Sequence, residues 1–414
     1  MIDQDLAMTG YHKAVELIEI CNKKDGFLAS PTVRDNYRRL WARDGCIIGL
    51  AALMTENEHL IEGCKRTLKT LAQYQGPHGE IPVNVDTQTL RISYGGTAGR
   101  VDADLWFIIT CGQYWKTTGD NNFLLEMLHS IEKVRYLLGA WEYNNRGLIY
   151  VPLTGDWADE YLHTGYVLFD QLLYLQAQRE LCDMHRYLHG SEDHNLIERV
   201  MHLKGIIRDN FWLTEGEKIP ENVYHDVLYK KGLKAKNRCA DKYWAPFFSP
   251  AGYGYRFDTF ANSLASLFNV AELKQTEKVD QYINKEFNRG ECVPLPAFHP
   301  VITPKEDDWE ELQITFSYSF KNQPYEYQNG GLWPLITGFY VADLAQREKK
   351  KEAIYYLEAI HRANRKSKNG KAWCFPEYLH GKTYKAEGTS QMGWSAAAAI
   401  IAQESLNGKK VFNP

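Results

Sequence analysis

The chain has 414 residues, 48 basic and 52 acidic side chains, a formal charge of −4 and 13% aromatic residues. That near balance, without a basic stripe, excludes a nucleic-acid surface. No apolar run approaches the ~20 residues of a membrane span, and Met1-Ile2-Asp3-Gln4-Asp5 lacks the basic and apolar regions of a signal peptide.

Apolar residues at helical spacing predict helices over 7–22, 43–54, 57–74, 103–117, 121–140, 165–187, 193–209, 256–271, 276–289, 331–347, 350–367 and 390–405. These make six pairs if the last helix joins the first across the chain ends. Connections within a pair are short, such as Thr118-Gly119-Asp120. Those between pairs are long: 23–42, 75–102, 141–164, 210–255, 290–330 and 368–389. Most of the Pro, Gly, Trp and Tyr residues fall there, and a short strand is expected at 147–151. Alternating short and long connections describe an all-α (α/α)6 toroid of six helical hairpins. Its long loops and short strands gather at one end and build a site there. An open solenoid would repeat itself at a fixed period, and this sequence does not. The reading is of one catalytic domain over 1–414.

The long loops and helix starts carry the chemistry, in chain order. Trp41-Ala42-Arg43-Asp44 pairs an Arg fork with an acceptor beside an indole, an arrangement suited to adjacent sugar hydroxyls; Asp44 as a helix cap is the alternative. Arg100-Val101-Asp102 closes a Gly-rich loop, with Asp102 a substrate contact or a cap. Asp156-Trp157-Ala158-Asp159-Glu160 crowds three carboxylates around one Trp, conditions that keep a carboxylic acid protonated for general acid work. Arg256-Phe257-Asp258, with Asn262, opens a later helix. Asn329-Gly330-Gly331-Leu332-Trp333-Pro334 enters the next. Trp373-Cys374-Phe375-Pro376-Glu377-Tyr378 sets a carboxylate among rings, where a base would meet water against a sugar, and Trp394 opens the last helix.

The eight cysteines form no Cys-x-x-Cys pair and fit reduced core thiols in a cytoplasm. The loop histidines show no metal spacing, and no phosphate-binding or dinucleotide fingerprint occurs. Neither metal nor cofactor is expected. The partner expected is a small saccharide, with no nucleic acid and no membrane, and the sequence leaves the oligomeric state open.

Taken in order, Arg43-Asp44, Arg100 to Trp106, Arg256-Phe257-Asp258 with Asn262, Asn329 to Pro334 and Pro376-Glu377-Tyr378 with Trp394-Ser395 resemble the alkaline and neutral invertases. They are similar also to their inverting (α/α)6 relatives: trehalase, the processing α-glucosidase and the glucosylglycerate or mannosylglycerate hydrolases. The resemblance implies that Glu377 is the general base and that the general acid lies in Gly155 to Asp159. Asp159 matches the relatives' spacing better, with Asp156 the alternative. The invertases' Asp-Arg-Arg run is missing from this loop, and Ala386 to Gln391 replaces their basic residues before the last helix. Both changes fall near the leaving sugar and argue against sucrose. The expected activity is inverting hydrolysis of a small α-linked glucoside or related saccharide. Two carboxyls would stand about 6.5–9.5 Å apart, leaving room for water. Trp41, Arg43, Asp44, Arg100, Asp102, Trp157, Arg256, Asp258, Asn329, Trp333 and Trp394 are the expected substrate contacts. A sugar isomerase or 2-epimerase on the same toroid would need a His pair in the loops. A non-catalytic carbohydrate-binding protein would need the rings but not the two opposed acids.

Overall fold

The computed structural model describes residues 4–216, 218–234, 239–288, 290–316, 318–368 and 370–413. Met1 to Asp3, where the signal-peptide reading begins, and position 289, the last of one expected helix, lie outside them. Among the described residues there are fourteen helices: α1 Gln4–Cys21, α2 Ala42–Thr55, α3 Glu58–Gln73, α4 Val101–Thr118, α5 Asn121–Ala140, α6 Leu168–His189, α7 His194–Phe211, α8 Asp226–Lys234, α9 Thr259–Leu267, α10 Leu273–Phe287, α11 Asp308–Gln313, α12 Pro334–Gln346, α13 Lys350–Asn364 and α14 Gly393–Leu406. Twelve match the expected segments. The short helices α8 and α11 sit inside long loops and were not anticipated.

Helices α2, α4, α6, α9, α12 and α14 form an inner ring in which each packs on the next and α14 closes on α2. Their sequences explain the position. Every residue from Ala42 to Met54 and from Pro334 to Leu344 is buried, and a helix that is apolar all round must lie inside. Outer helices carry one stripe instead. In α3 it is Leu60, Gly63, Cys64, Thr67, Leu68 and Leu71, spaced three and four apart. Inner helices approach closely where side chains are small. A Cβ on Gly338 of α12 would stand 2.8 Å from the Ala398 backbone of α14. Across the chain ends α1 packs on α14, which completes the sixth pair.

The two ends of the ring are built differently. Outer helices α3, α5 and α7 start with side-chain caps: Asn57 accepts from His59 and Leu60 N–H, Asp120 from Phe123 N–H, and Asp193 from Asn195 and Leu196 N–H. Inner helices start at the opposite end, and only α9 has such a cap, from Asp258 to Ala261 N–H. Neighbouring backbone supplies the rest. Ala42 N–H donates to Val83 O, Val101 to Gly155, Leu168 to Pro246, Thr259 to Ala297 and Gly393 to Ala29. Pro334 has no N–H to give, and Leu332 makes the link instead, to Leu379 O. Each inner helix is thereby tied to the loop leading into the next, six links around a closed circle.

The loops carry short antiparallel ladders, such as Leu40-Trp41 on Asn84-Val85 and Phe257-Asp258 on Phe298-His299. The strand expected at 147–151 does not form. Only Val151 bridges, to Gly165. Gln171 takes both polar backbone groups of Ile149, and Tyr224 Oη accepts from Leu148 N–H, so the segment has no ladder to offer.

Candidate active site

The inner-helix starts and long loops bring the distant acidic segments to one end of the ring. Glu377 lies just before the ladder of Tyr378-Leu379 on Ala386-Glu387. Its Oε1 accepts from Tyr37 Oη at 2.7 Å and its Oε2 from Thr389 N–H at 2.9 Å. Burial, at 3% exposure, pushes its carboxyl above the ordinary range, and the charge of Asp159 adds to this. The Thr389 N–H, the Tyr37 hydroxyl and the Lys321 ammonium oppose it. Gly388 makes room for this carboxylate. Its φ is +67°, and a Cβ there would fall 2.4 Å from Glu377 Oε2.

Asp159 faces the same space. Its side chain is 20% exposed and held loosely, by Arg100 Nη2 at 3.5 Å, Tyr327 Oη at 3.4 Å and Gln328 Nε2 at 3.5 Å. Tyr327 joins the two acids: its hydroxyl reaches Asp159, and its ring meets Tyr378, next to Glu377, at 5.8 Å. Lys321 lies over the Tyr327 ring at 5.0 Å and pairs with Glu160 at 3.4 Å. Its ammonium stays charged beside Glu160, Glu377 and Asp159 despite burial. Asp156, by contrast, is fully buried. Its Oδ1 accepts from Ala158 N–H at 3.0 Å, and its Oδ2 lies 3.4 Å from His163 Nδ1.

The remaining expected contacts divide by what already occupies them. Arg43 makes its ion pair with Asp102 and not with Asp44. It forks onto Asp102 and donates to Asp156 O at 3.3 Å. Asp44 and Asp102 are not caps, since Trp41 and Arg100 stand at the cap positions of α2 and α4. Asp44 Oδ1 is buried with no partner among the described residues, and burial pushes this carboxyl up to about 7, against Arg43 and with Glu377. Asp258 caps α9 through one oxygen and leaves Oδ2 without a partner among the described residues; its carboxyl is pushed up to about 6 by burial, against His163. Arg256 is committed to Asp308 and, at 2.6 Å, to Glu306. Asn329 bonds Ile302 N–H, Ile302 O and Asn322 O, so the backbone saturates its amide. Asn262 is likewise spent on Trp244 N–H and Asp258 O. Trp157, Trp333 and Trp394 form one buried aromatic row, with ring centres 5.7 Å apart at each step. Trp333 also stacks on Tyr378. Trp41 stacks on Tyr37 at 6.4 Å.

Sequence reasoning missed Tyr37, Lys321 and Gly388. Tyr37 is 340 positions from its carboxylate partner. Lys321 follows the unpatterned stretch 314–320. Glycine after an aromatic loop was the only available hint for Gly388.

Residues 15–408 match the family described as alkaline and neutral invertase. A probable alkaline/neutral invertase D of Arabidopsis thaliana is 25% identical, covering 89% of this chain and 75% of that protein. Cytosolic invertase 1 of Oryza sativa subsp. japonica is 24% identical, covering 90% and 72%. Among solved structures, a mannosylglycerate hydrolase from Thermus thermophilus in complex with glucose superposes with a TM-score of 0.65 at 13% identity, covering 95% of this chain and 99% of that one. A bacterial glucoamylase complexed with acarbose gives 0.65 at 13% identity, covering 98% and 56%. These likenesses bear on the fold: both neighbours share the closed helical ring.

Proposed function

The chain belongs to the alkaline and neutral invertase family and is a glycoside hydrolase; from that premise we propose that it inverts the anomeric centre of a small α-linked glucoside, with Asp159 as acid and Glu377 as base. One observation carries this reading. Two carboxylates with opposite kinds of surroundings both act on the Lys321 ammonium, which lies over the Tyr327 ring that reaches Asp159. Glu377 is fixed by two donors that favour its ionised form, as a base requires. Asp159 is the more exposed and more loosely held, free to give a proton to the leaving oxygen and to recover it from solvent. Asp156 is the poorer acid, because a backbone N–H and His163 hold it away from solvent.

In the proposed step Asp159 transfers its proton to the glycosidic oxygen as the bond from C1 to that oxygen breaks. A water attacks C1 from the opposite face and loses its proton to Glu377. Asp44, with an unpartnered oxygen near Glu377, is placed to accept from a sugar hydroxyl. The Trp41 and Tyr37 faces are suited to the apolar face of the ring. Arg43, Arg100 and Asp102 hold this wall in position, Trp157, Trp333 and Trp394 form its floor, and Arg256, Asp258 and Asn329 brace the surrounding loops. The whole chain is read as one catalytic domain acting in the cytoplasm, without metal or cofactor. The likeness to a mannosylglycerate hydrolase in complex with glucose supports a glucose unit beside Glu377. The test is reducing-sugar release from a panel of α-linked disaccharides and glycosyl glycerates. Glu377→Gln and Asp159→Asn should each lose about 10²–10⁴-fold in turnover with folding intact. Near-normal turnover in Glu377→Gln would remove the base, and loss in Asp156→Asn alone would move the acid to that residue.

A further inference from the structure

A cavity of about 450 Å³ opens at the other end of the ring, among the later turns of α6, the start of α7, the ends of α9 and α12 and the tail after α14. Met201, Phe268 and Phe412 give it apolar walls, and Gln346 adds a neutral amide. Its volume lies in the range of small-molecule sites, about 300–1,000 Å³.

The charges around it are unevenly spent. Asp183 is neutralised by Lys116 at 2.6 Å and Arg186 at 2.9 Å, and Asp193 caps α7. Arg179 has no carboxylate partner among the described residues. Among the described residues only its Nη1 is engaged, by Gln176 Oε1 at 3.3 Å and Phe268 O at 2.9 Å, both neutral acceptors. Capping the last turn of α9 accounts for that one nitrogen and leaves the rest of the guanidinium fork without an acceptor among the described residues. Lys410 lines the same cavity, also without an ion pair among the described residues. Lys204 lies one turn beyond Met201 on α7, and its ammonium is pulled down by burial and by the like charges of Arg208 and Arg179. Glu192, the remaining carboxylate of the lining, lies 3.9 Å from Arg186, so Arg179 and Lys410 on the cavity, with Lys204 just beyond its lining, are arranged for an anion.

We propose that this cavity binds a small organic anion, a carboxylate or phosphate head on a compact apolar body, with the Arg179 fork as its principal contact. The site is separate from Glu377 and stands whether or not the hydrolytic reading holds. Calorimetric titration of the full chain with benzoate and with inorganic phosphate tests it, with benzyl alcohol as the neutral control. At least one anion should bind saturably at one site, and the alcohol should bind much more weakly. Which anion binds identifies the head group. Arg179→Gln keeps a donor for Phe268 O but removes the charge, and it should weaken binding about tenfold or more. Met201→Trp should block binding by filling the cavity, which keeps the test decisive if Arg179→Gln fails to fold. Glu377→Gln should bind like the parent. Absence of saturable binding by both anions, equal binding by benzyl alcohol, unchanged affinity in folded Arg179→Gln, or loss in Glu377→Gln would each overturn the proposal.

Discussion

Glu377 is held by groups that pull its proton affinity in opposite directions, and this has a readable consequence. Burial raises the carboxyl, while the Tyr37 hydroxyl and Thr389 N–H favour its charged form. Removing a donor to the anion raises the carboxyl further. The acid limb of the kcat/KM profile should therefore move to higher pH in Tyr37→Phe, and a limb that stays in place would separate Tyr37 from the base. Gly388 is the second residue-scale test. Alanine there would bring a Cβ within 2.4 Å of Glu377 Oε2 at a φ that L side chains rarely adopt. Displacing a catalytic group by about 1 Å costs on the order of 10²-fold. The loss should appear mainly in kcat, with the circular dichroism spectrum unchanged.

At the scale of elements, the outer layer has its own point of sensitivity. His361 of α13 is buried against Gly10 of α1, and a Cβ on that glycine would meet the imidazole at 2.2 Å. Both ring nitrogens lack partners among the described residues, and burial lowers its value from 6.5 to about 4. The unfolded chain therefore takes up this proton first as pH falls. The contribution of the neutral ring to stability is complete above pH 6.5 and is lost between pH 6.5 and 4. Each unit is worth about 1.36 kcal/mol, so the total loss is about 3 kcal/mol. His361→Leu should flatten that part of the stability profile relative to the parent in denaturant titrations at pH 7 and pH 4.5. Parallel profiles would show that the ring exchanges its proton without cost.

The helices were legible because their physical signals are local. An apolar surface all round marks the inner helices and a single stripe marks the outer ones, and both patterns are complete within each segment. Inner-helix starts were less legible. The last three were expected three residues early, at 256, 331 and 390; before α9 and α12 the apolar ladder residue Phe257 and link residue Leu332 read as helical. The six-link backbone circle has no side-chain signature at all.

For the whole molecule, ring closure turns scattered segments into a site. Asp159 and Glu377 lie more than two hundred positions apart, and the aromatic row of Trp157, Trp333 and Trp394 draws on three separate inner-helix approaches. The acidic and aromatic segments were visible in the sequence because they are dense in residues that bind sugars. Their commitments were not. Arg43 belongs to Asp102 and Arg256 to Glu306 and Asp308, partners set by a later segment of the ring, and Asn329 belongs to backbone groups of its own loop. The central claim concerns what two opposed carboxyls do to C1. It is tested most directly by proton NMR of the first sugar released from an α-glucoside that the enzyme hydrolyses, recorded before mutarotation. The account predicts the β-anomer as the initial product. Initial release of the α-anomer would mean retention and would contradict a mechanism in which Glu377 activates water.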